Sequence, residues 1–151
     1  MPMIEGALRS PREQGLEEQI AYIASRVPGL VYAYRSRPDG AACMPFTSSA
    51  VGEVFGIAGD VLAEDAAPWA ANVHPDDLPP MEFGLVDAAR TVSRWHGTYR
   101  YVHPTKGLRW IEGWAVPRAE PDGSTLWHGF ALDVTDREGA ERVLRATDER
   151  L

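Results

Sequence analysis

Two alternating segments near the C-terminal end of the chain constrain the fold most strongly. Residues 109–117 and 126–134 each alternate between two faces, with the period of two that a β-strand imposes. Between them lies Pro121-Asp122-Gly123. Proline presets φ, aspartate can bond the backbone two residues on, and glycine accepts a positive φ, so these residues predict a turn. The region is therefore predicted to be an antiparallel hairpin.

The second segment ends in Asp133-Val134-Thr135-Asp136, after which the pattern becomes that of a helix. Thr135 or Asp136 suits the N-cap position, and Glu138 lies where a capping box with Thr135 requires it. The sequence thus predicts that the last strand passes directly into a C-terminal helix.

The rest of the chain predicts an α+β fold. A leader (1–14) precedes an amphipathic helix (15–27), whose apolar stripe is Leu16, Ile20, Ile23 and Val27. Two strands follow at 30–35 and 41–47, then a short helix capped by Ser48 or Ser49, then a longer helix and a strand before the hairpin. This order predicts a five-stranded antiparallel sheet with helices packed on one face.

The hairpin and its ending resemble the C-terminal part of a PAS domain, which closes with Gly-x-x-x-Asp-Ile/Val-Thr before a charged helix. Two other stretches resemble the same family in order and spacing, namely His74-Pro75-Asp76-Asp77 and Arg109-Trp110. The resemblance covers roughly residues 27–138. We therefore expect a PAS domain at 28–138, with 139–151 as the start of a C-terminal linker helix.

Composition narrows the function classes. The chain has 151 residues, 44% hydrophobic and 25% charged, as a single soluble domain would have. Its net charge of -7 argues against nucleic acid as a partner. The lone Cys43 excludes an internal disulfide, and no apolar run is long enough to span a bilayer. We expect a cytoplasmic location without direct membrane contact.

His74, Asp76 and Asp77 form the cluster most suggestive of a metal or catalytic site. The alternative is that Pro75 and the carboxylates begin a helix, where the macrodipole favours negative charge, and the resemblance favours this structural role. We identify no catalytic residues and no metal site. A small α+β enzyme using these three residues remains a third hypothesis.

The resemblance also bears on cofactors. Flavin-adduct sensors of this superfamily carry a reactive cysteine in the central helices, whereas no cysteine lies between Ser49 and Val73. They also place glutamine two residues before the aspartate of the final signature, where this chain has Ala131. Haem-binding members use a histidine in or near the long helix, and only His74 is close to it. Flavin-adduct and haem cofactors are therefore disfavoured, and the cofactor stays unknown.

In the PAS fold, ligands bind between one sheet face and the central helices. If Ala131 faces inward, alternation predicts a pocket lined by Ala42, Met44, Phe46, Ile111, Gly113, Ala115, Trp127, Gly129 and Ala131. The small residues among them leave space for a ligand. Alternatively, Trp69, Phe83, Met81 and Trp127 fill that space completely.

The opposite sheet face carries Trp114, Phe130 and Leu132, an apolar surface that needs a cover. The stripe of Leu16, Ile20, Ile23 and Val27 could supply it from the same chain or from the partner in a homodimer. Asp133 and Thr135 could tie the last strand to the exit helix and relay a change in the pocket.

The resemblance implies a sensory domain of a histidine kinase or a cyclic-dinucleotide enzyme. Such a domain binds a small molecule or partner, performs no chemistry, and acts on an output domain beyond residue 151. The alternative is a ligand-free interaction and dimerisation module with a filled interior.

Overall fold

The computed structural model of the chain describes residues 28–150 and, before them, residues 11, 15, 18 and 19, which are helical. The predicted leader (1–14) and amphipathic helix (15–27) otherwise lie outside the described residues. This holds for the whole predicted stripe of Leu16, Ile20, Ile23 and Val27.

From residue 28 onward the structure contains five strands and five helices, as an α+β fold requires. The strands are β1 (Leu30–Ser36), β2 (Ala42–Thr47), β3 (Trp95–His103), β4 (Gly107–Ala119) and β5 (Thr125–Asp133). The helices are α1 (Val51–Phe55), α2 (Gly59–Glu64), α3 (Ala67–Asn72), α4 (Leu78–Thr91) and α5 (Thr135–Arg150). The last helix runs without interruption through the predicted domain boundary at 138.

The strands form one antiparallel sheet in the order β2-β1-β5-β4-β3. The predicted hairpin is β4 and β5, and its turn is confirmed. The Ser124 N–H donates to Asp122 Oδ1 over 2.9 Å, and Gly123 adopts a φ of 87°. A residue with a side chain would be strained at that φ, so glycine is needed there.

Helices α1 to α4 cover one sheet face and enclose the core. Its most deeply buried side chains come from both layers: Leu30, Met44, Phe55, Leu62, Tyr101 and Ile111. Tyr101 keeps its polar end satisfied there, because its hydroxyl donates to the Phe55 carbonyl over 2.6 Å. The core therefore fixes α1 against β3.

The segment between α3 and α4 closes the free edge of β3. Val73 forms a bridge with Tyr101, and the His74 N–H donates to the Arg100 carbonyl over 2.9 Å. Asp77 Oδ2 accepts the Arg100 N–H over 2.7 Å. These contacts satisfy backbone groups that an edge strand would otherwise leave unpaired.

Two local predictions are corrected. Phe46 was predicted to share a face with Met44, but a bulge places both Met44 and Pro45 opposite Tyr34, so Phe46 pairs with Ala33 on the other face. Neither Ser48 nor Ser49 caps α1, since Ala50 is its N-cap residue and no side chain caps it. The Ser48 hydroxyl instead accepts the Val31 N–H over 2.9 Å.

Helix α5 leaves β5 and lies against the outer face of β4. The Arg137 guanidinium bonds Glu112 Oε1 over 2.9 Å, and that of Arg142 lies 4.7 Å from the centre of the Trp110 ring. The side chains of Glu112 and Trp110 point away from the helix-covered face. None of the helices among the described residues has the length and apolar character needed to cross a membrane.

Candidate functional site

A cavity of about 30 Å³ lies between the sheet and helix α4. Pockets that hold drug-sized ligands or cofactors have volumes of about 300–1,000 Å³, so this cavity is too small for such a molecule as it stands. Its walls are largely aromatic: Tyr32, Tyr34, Trp69, Trp95, Tyr99 and Trp127. The interior is thus close to full in this structure, and the groups that fill it are side chains.

Two of the predicted small residues explain how the aromatic side chains fit. A side chain at Gly129 would collide with the ring of Tyr32, and a Cβ atom at Gly113 would lie 2.9 Å from Trp95 Cζ3. The glycines leave room, as the sequence predicts, but aromatic rings from neighbouring strands take that room.

Trp95 separates the cavity from the surface. Its indole is half-buried in a slot whose walls are Gly97, Gly113 and Gly84, with ideal Cβ positions 2.9 Å, 2.9 Å and 3.2 Å from ring atoms. The same side chain lines a groove of about 320 Å³ between α4 and β3. Movement of this one indole would therefore join the cavity to the groove.

The cavity is polar only through uncharged groups. Burial raises the pKa of the Tyr32 and Tyr99 hydroxyls, so both stay protonated at physiological pH. Trp69 Nε1 is buried and forms no hydrogen bond of good geometry among the described residues, although it lies close enough to the Tyr99 hydroxyl to act on that group's pKa. The described lining includes no charged side chain. Such a site favours a neutral, mainly apolar molecule with a hydrogen-bond acceptor.

Only some of the residues predicted to line the pocket lie at the cavity wall. Met44, Ala115 and Trp127 line the cavity, while Ile111 and Ala131 are buried in the core beside it and Ala42 packs against that core. Gly113 and Gly129 lie under Trp95 and Tyr32. Phe46 lies outside, in a groove on the opposite face. Phe83, predicted as a possible filler, is 77% exposed.

Sequence reasoning missed several lining residues, of which Tyr32, Tyr34, Trp95 and Tyr99 matter most. The predicted pocket contains no residue of β1 or β3. Trp95 pairs with Ala115, and its ring reaches the neighbouring Gly113. A register for β3 and β4 would have been needed to find that contact.

The second part of the site is the junction where β5 passes into α5. Asp133 Oδ1 accepts two hydrogen bonds from Thr135, one from its N–H over 3.0 Å and one from its hydroxyl over 2.6 Å. Asp133 Oδ2 accepts a hydrogen bond from Arg109 Nε over 2.8 Å. Burial raises the pKa of the Asp133 carboxyl, but these hydrogen bonds outweigh it and hold the pKa below its usual range. The carboxylate therefore stays charged and binds both neighbours.

Thr135 extends this network to β4. Its hydroxyl accepts the Trp110 N–H over 2.9 Å, and the Trp110 carbonyl accepts the Val134 N–H over 2.8 Å. The sequence predicted that Thr135 could cap the helix. Its hydroxyl instead joins two strands, β4 and β5. Asp133 performs the capping role, because it accepts the first free N–H of α5.

The outer sheet face carries the predicted apolar residues Trp114, Phe130 and Leu132, all half-buried. Trp114 and Phe130 pack with ring centres 5.8 Å apart and line a groove of about 480 Å³. Val116 is 48% exposed in the same groove. The face is therefore available to a cover, whose origin stays a prediction.

The His74, Asp76 and Asp77 cluster is accounted for by local contacts. Asp77 accepts two hydrogen bonds from the Arg100 guanidinium, at 2.9 Å and 2.6 Å, and these bonds hold its pKa below the usual range. His74 Nδ1 accepts the Asp76 N–H over 3.1 Å. Within the described part of the chain, no group of three or more His, Cys, Asp or Glu side chains is placed to hold a metal ion.

The family model described as the PAS fold matches residues 45–131. This is more than half of the chain, which therefore belongs to the PAS-fold family.

Solved structures share the architecture. A sensory box histidine kinase/response regulator from Burkholderia thailandensis is 21% identical, with a TM-score of 0.62 over 89% of this chain and 95% of that one. A PAS domain from Colwellia psychrerythraea is 18% identical, with a TM-score of 0.59 over 80% and 98%.

The N-terminal domain of a diguanylate cyclase with PAS/PAC sensor from Marinobacter aquaeolei is 15% identical, with a TM-score of 0.57 over 72% and 98%. At these identities the likeness is one of fold. Among curated proteins, no sequence matches this chain significantly.

Proposed function

We propose that the chain is a non-catalytic regulatory domain of a cytoplasmic signalling protein, whose output domain follows residue 151. Membership of the PAS-fold family supports this, as does the fold shared with parts of a histidine kinase/response regulator and a diguanylate cyclase. A kinase or a cyclic-dinucleotide enzyme is therefore the proposed output.

The junction between β5 and α5 carries the proposal. Asp133 and Thr135 hold the start of α5 to β4 through the Trp110 N–H, while Ala131, two residues earlier in β5, is buried in the helix-covered core. A shift of β5 would therefore move the groups that position α5. This arrangement favours a relay from the interior to the exit helix.

The proposed input is a neutral, flat small molecule that takes the place of the Trp95 indole. The glycine-walled slot fits a ring, the adjoining groove provides access, and Trp69 Nε1 provides a buried donor that forms no hydrogen bond of good geometry among the described residues. Displacement of Trp95 would loosen β3 against α4. The signal would then pass through the sheet to the junction.

The cavity volume of about 30 Å³ favours a second candidate, a ligand-free interaction and dimerisation module. In that case the aromatic interior is permanent core. The groove beside Trp114 and Phe130 would bind a second copy of the chain.

Native mass spectrometry of the freshly purified chain, compared with its denatured mass, distinguishes the two. A reproducible excess mass that disappears on denaturation is the result expected for a ligand sensor. A clean dimer without excess mass would overturn ligand sensing and favour the interaction module. A clean monomer at micromolar concentration would remove the homodimer from both.

A further inference from the structure

Trp110 is contacted by two guanidinium groups from different elements. The Arg100 Cζ atom on β3 lies 5.7 Å from the centre of the Trp110 ring, and the Arg142 Cζ atom on α5 lies 4.7 Å from it. Both distances are within the range of a cation–π contact. Arg142 lies two turns into α5, so its contact holds the helix beyond the junction.

Two guanidinium groups at one indole repel each other unless one of them is neutralised. Asp77 neutralises Arg100, since its carboxylate binds Nε over 2.9 Å and Nη2 over 2.6 Å. Asp77 also accepts the Arg100 N–H over 2.7 Å, which fixes the carboxylate on β3. The charge of Arg100 is thus balanced at its own side chain, and Arg142 can approach the ring.

Asp77 connects this arrangement to the interior. It is the residue before α4, and α4 supplies Met81 and Leu85 to the cavity wall. A displacement of the start of α4 would therefore withdraw the carboxylate from Arg100. The uncompensated guanidinium would then disfavour Arg142 at Trp110.

We propose that a second coupling between the helix-covered interior and α5 is formed by Asp77, Arg100, Trp110 and Arg142. In it, the Trp110 ring positions Arg142 and with it α5. The coupling shares Trp110 with the Asp133–Thr135 junction, but the junction uses the Trp110 backbone, whereas this coupling uses the Trp110 indole and the side chains around it on the outer face of β4. The inference rests on the proposed function, in that it assigns a further route by which the interior regulates the exit helix.

Amide hydrogen exchange in residues 136–147 of the 151-residue chain tests this. Asp77→Asn keeps the shape and removes the charge. It should accelerate exchange there by about two- to fivefold, the factor equivalent to one cation–π contact at an exposed site. The matched control is Asp87→Asn, which breaks an exposed pair with Arg90 on the same helix and should leave residues 136–147 unchanged.

Since Asp77→Asn also weakens the edge of β3, Arg142→Gln is the second variant, because it leaves the hydrogen bonds between Asp77 and Arg100 in place. It should accelerate exchange in residues 136–147 by the same factor. In the Arg142→Gln background, Asp77→Asn should add nothing, because no cation is left to repel. Such non-additivity between residues that do not touch is the signature of coupling.

Unchanged exchange in residues 136–147 on Asp77→Asn would overturn the inference, as would full additivity of the two substitutions. Thr135→Val separates this failure from that of the proposed function. If Thr135→Val loosens α5 and Asp77→Asn does not, the junction stands and the second coupling fails. If neither loosens α5, the relay itself fails.

Discussion

Replacing Trp95 by alanine should open the interior and create a binding site for an added ring. A fully buried aromatic side chain costs about 3–5 kcal/mol when truncated to alanine. Trp95 is only half-buried, so we expect about 2–3 kcal/mol at this position. With about 2–4 °C per kcal/mol for a domain of this size, the melting temperature should fall by about 4–12 °C.

The assay is thermal unfolding of the wild type and of Trp95→Ala, with and without indole. Indole at about a hundred times its dissociation constant should return about 2.7 kcal/mol to the variant, which is about the amount that was lost. The wild type should respond much less, because an added indole must first displace the Trp95 side chain from the slot. The matched control is Trp114→Ala, which truncates a half-buried tryptophan on the opposite face.

Two results would refute this reasoning. If indole does not stabilise Trp95→Ala, the slot collapses when the ring is removed and is not a preformed site. If indole stabilises Trp114→Ala equally, its effect is unspecific and says nothing about the interior.

Three further predictions concern the core and the junction. Tyr101→Phe leaves a buried carbonyl unpaired and should lower the free energy of unfolding in urea by about 1–3 kcal/mol; an unchanged midpoint would contradict the buried bond. Gly129→Ala should cost about 1–3 kcal/mol, because the Tyr32 ring must move and the new Cβ would also lie 2.6 Å from the Trp114 carbonyl oxygen. Gly52→Ala, which has open space, should cost nothing, and equal effects of the two substitutions on the melting temperature would contradict the close packing. The pKa of Asp133 is lowered in the folded state, so its contribution to stability is present above the unfolded pKa and is lost as pH falls below about 4. Asp133→Asn should therefore flatten the plot of unfolding free energy against pH in that range. Parallel plots for the variant and the wild type would exclude this carboxyl as the cause of the pH dependence.

Strand alternation was sufficient to assign the faces of β4 and β5, because these strands are regular along their length. It failed at Phe46, where the bulge at Met44 and Pro45 reverses the alternation. A proline within a strand is itself a signal for a bulge or an edge position, so the sequence contained a warning.

The state of the interior could not be predicted from local patterns. The sequence predicts that Gly113 and Gly129 leave space for a ligand, whereas in the structure rings of Trp95 and Tyr32, on neighbouring strands, lie against these glycines. The role of Thr135 was hidden for the same reason. Its hydroxyl bonds a backbone N–H on β4, a contact that depends on strand pairing and not on helix-capping preference.

The most direct test of the relay is amide exchange in residues 136–147 of Trp95→Ala, with and without indole, compared with the wild type. The account predicts that opening the interior accelerates exchange in α5 and that indole reverses this. Exchange that changes only in β3 and α4, with α5 unaffected in both conditions, would contradict a connection between the interior and the exit helix.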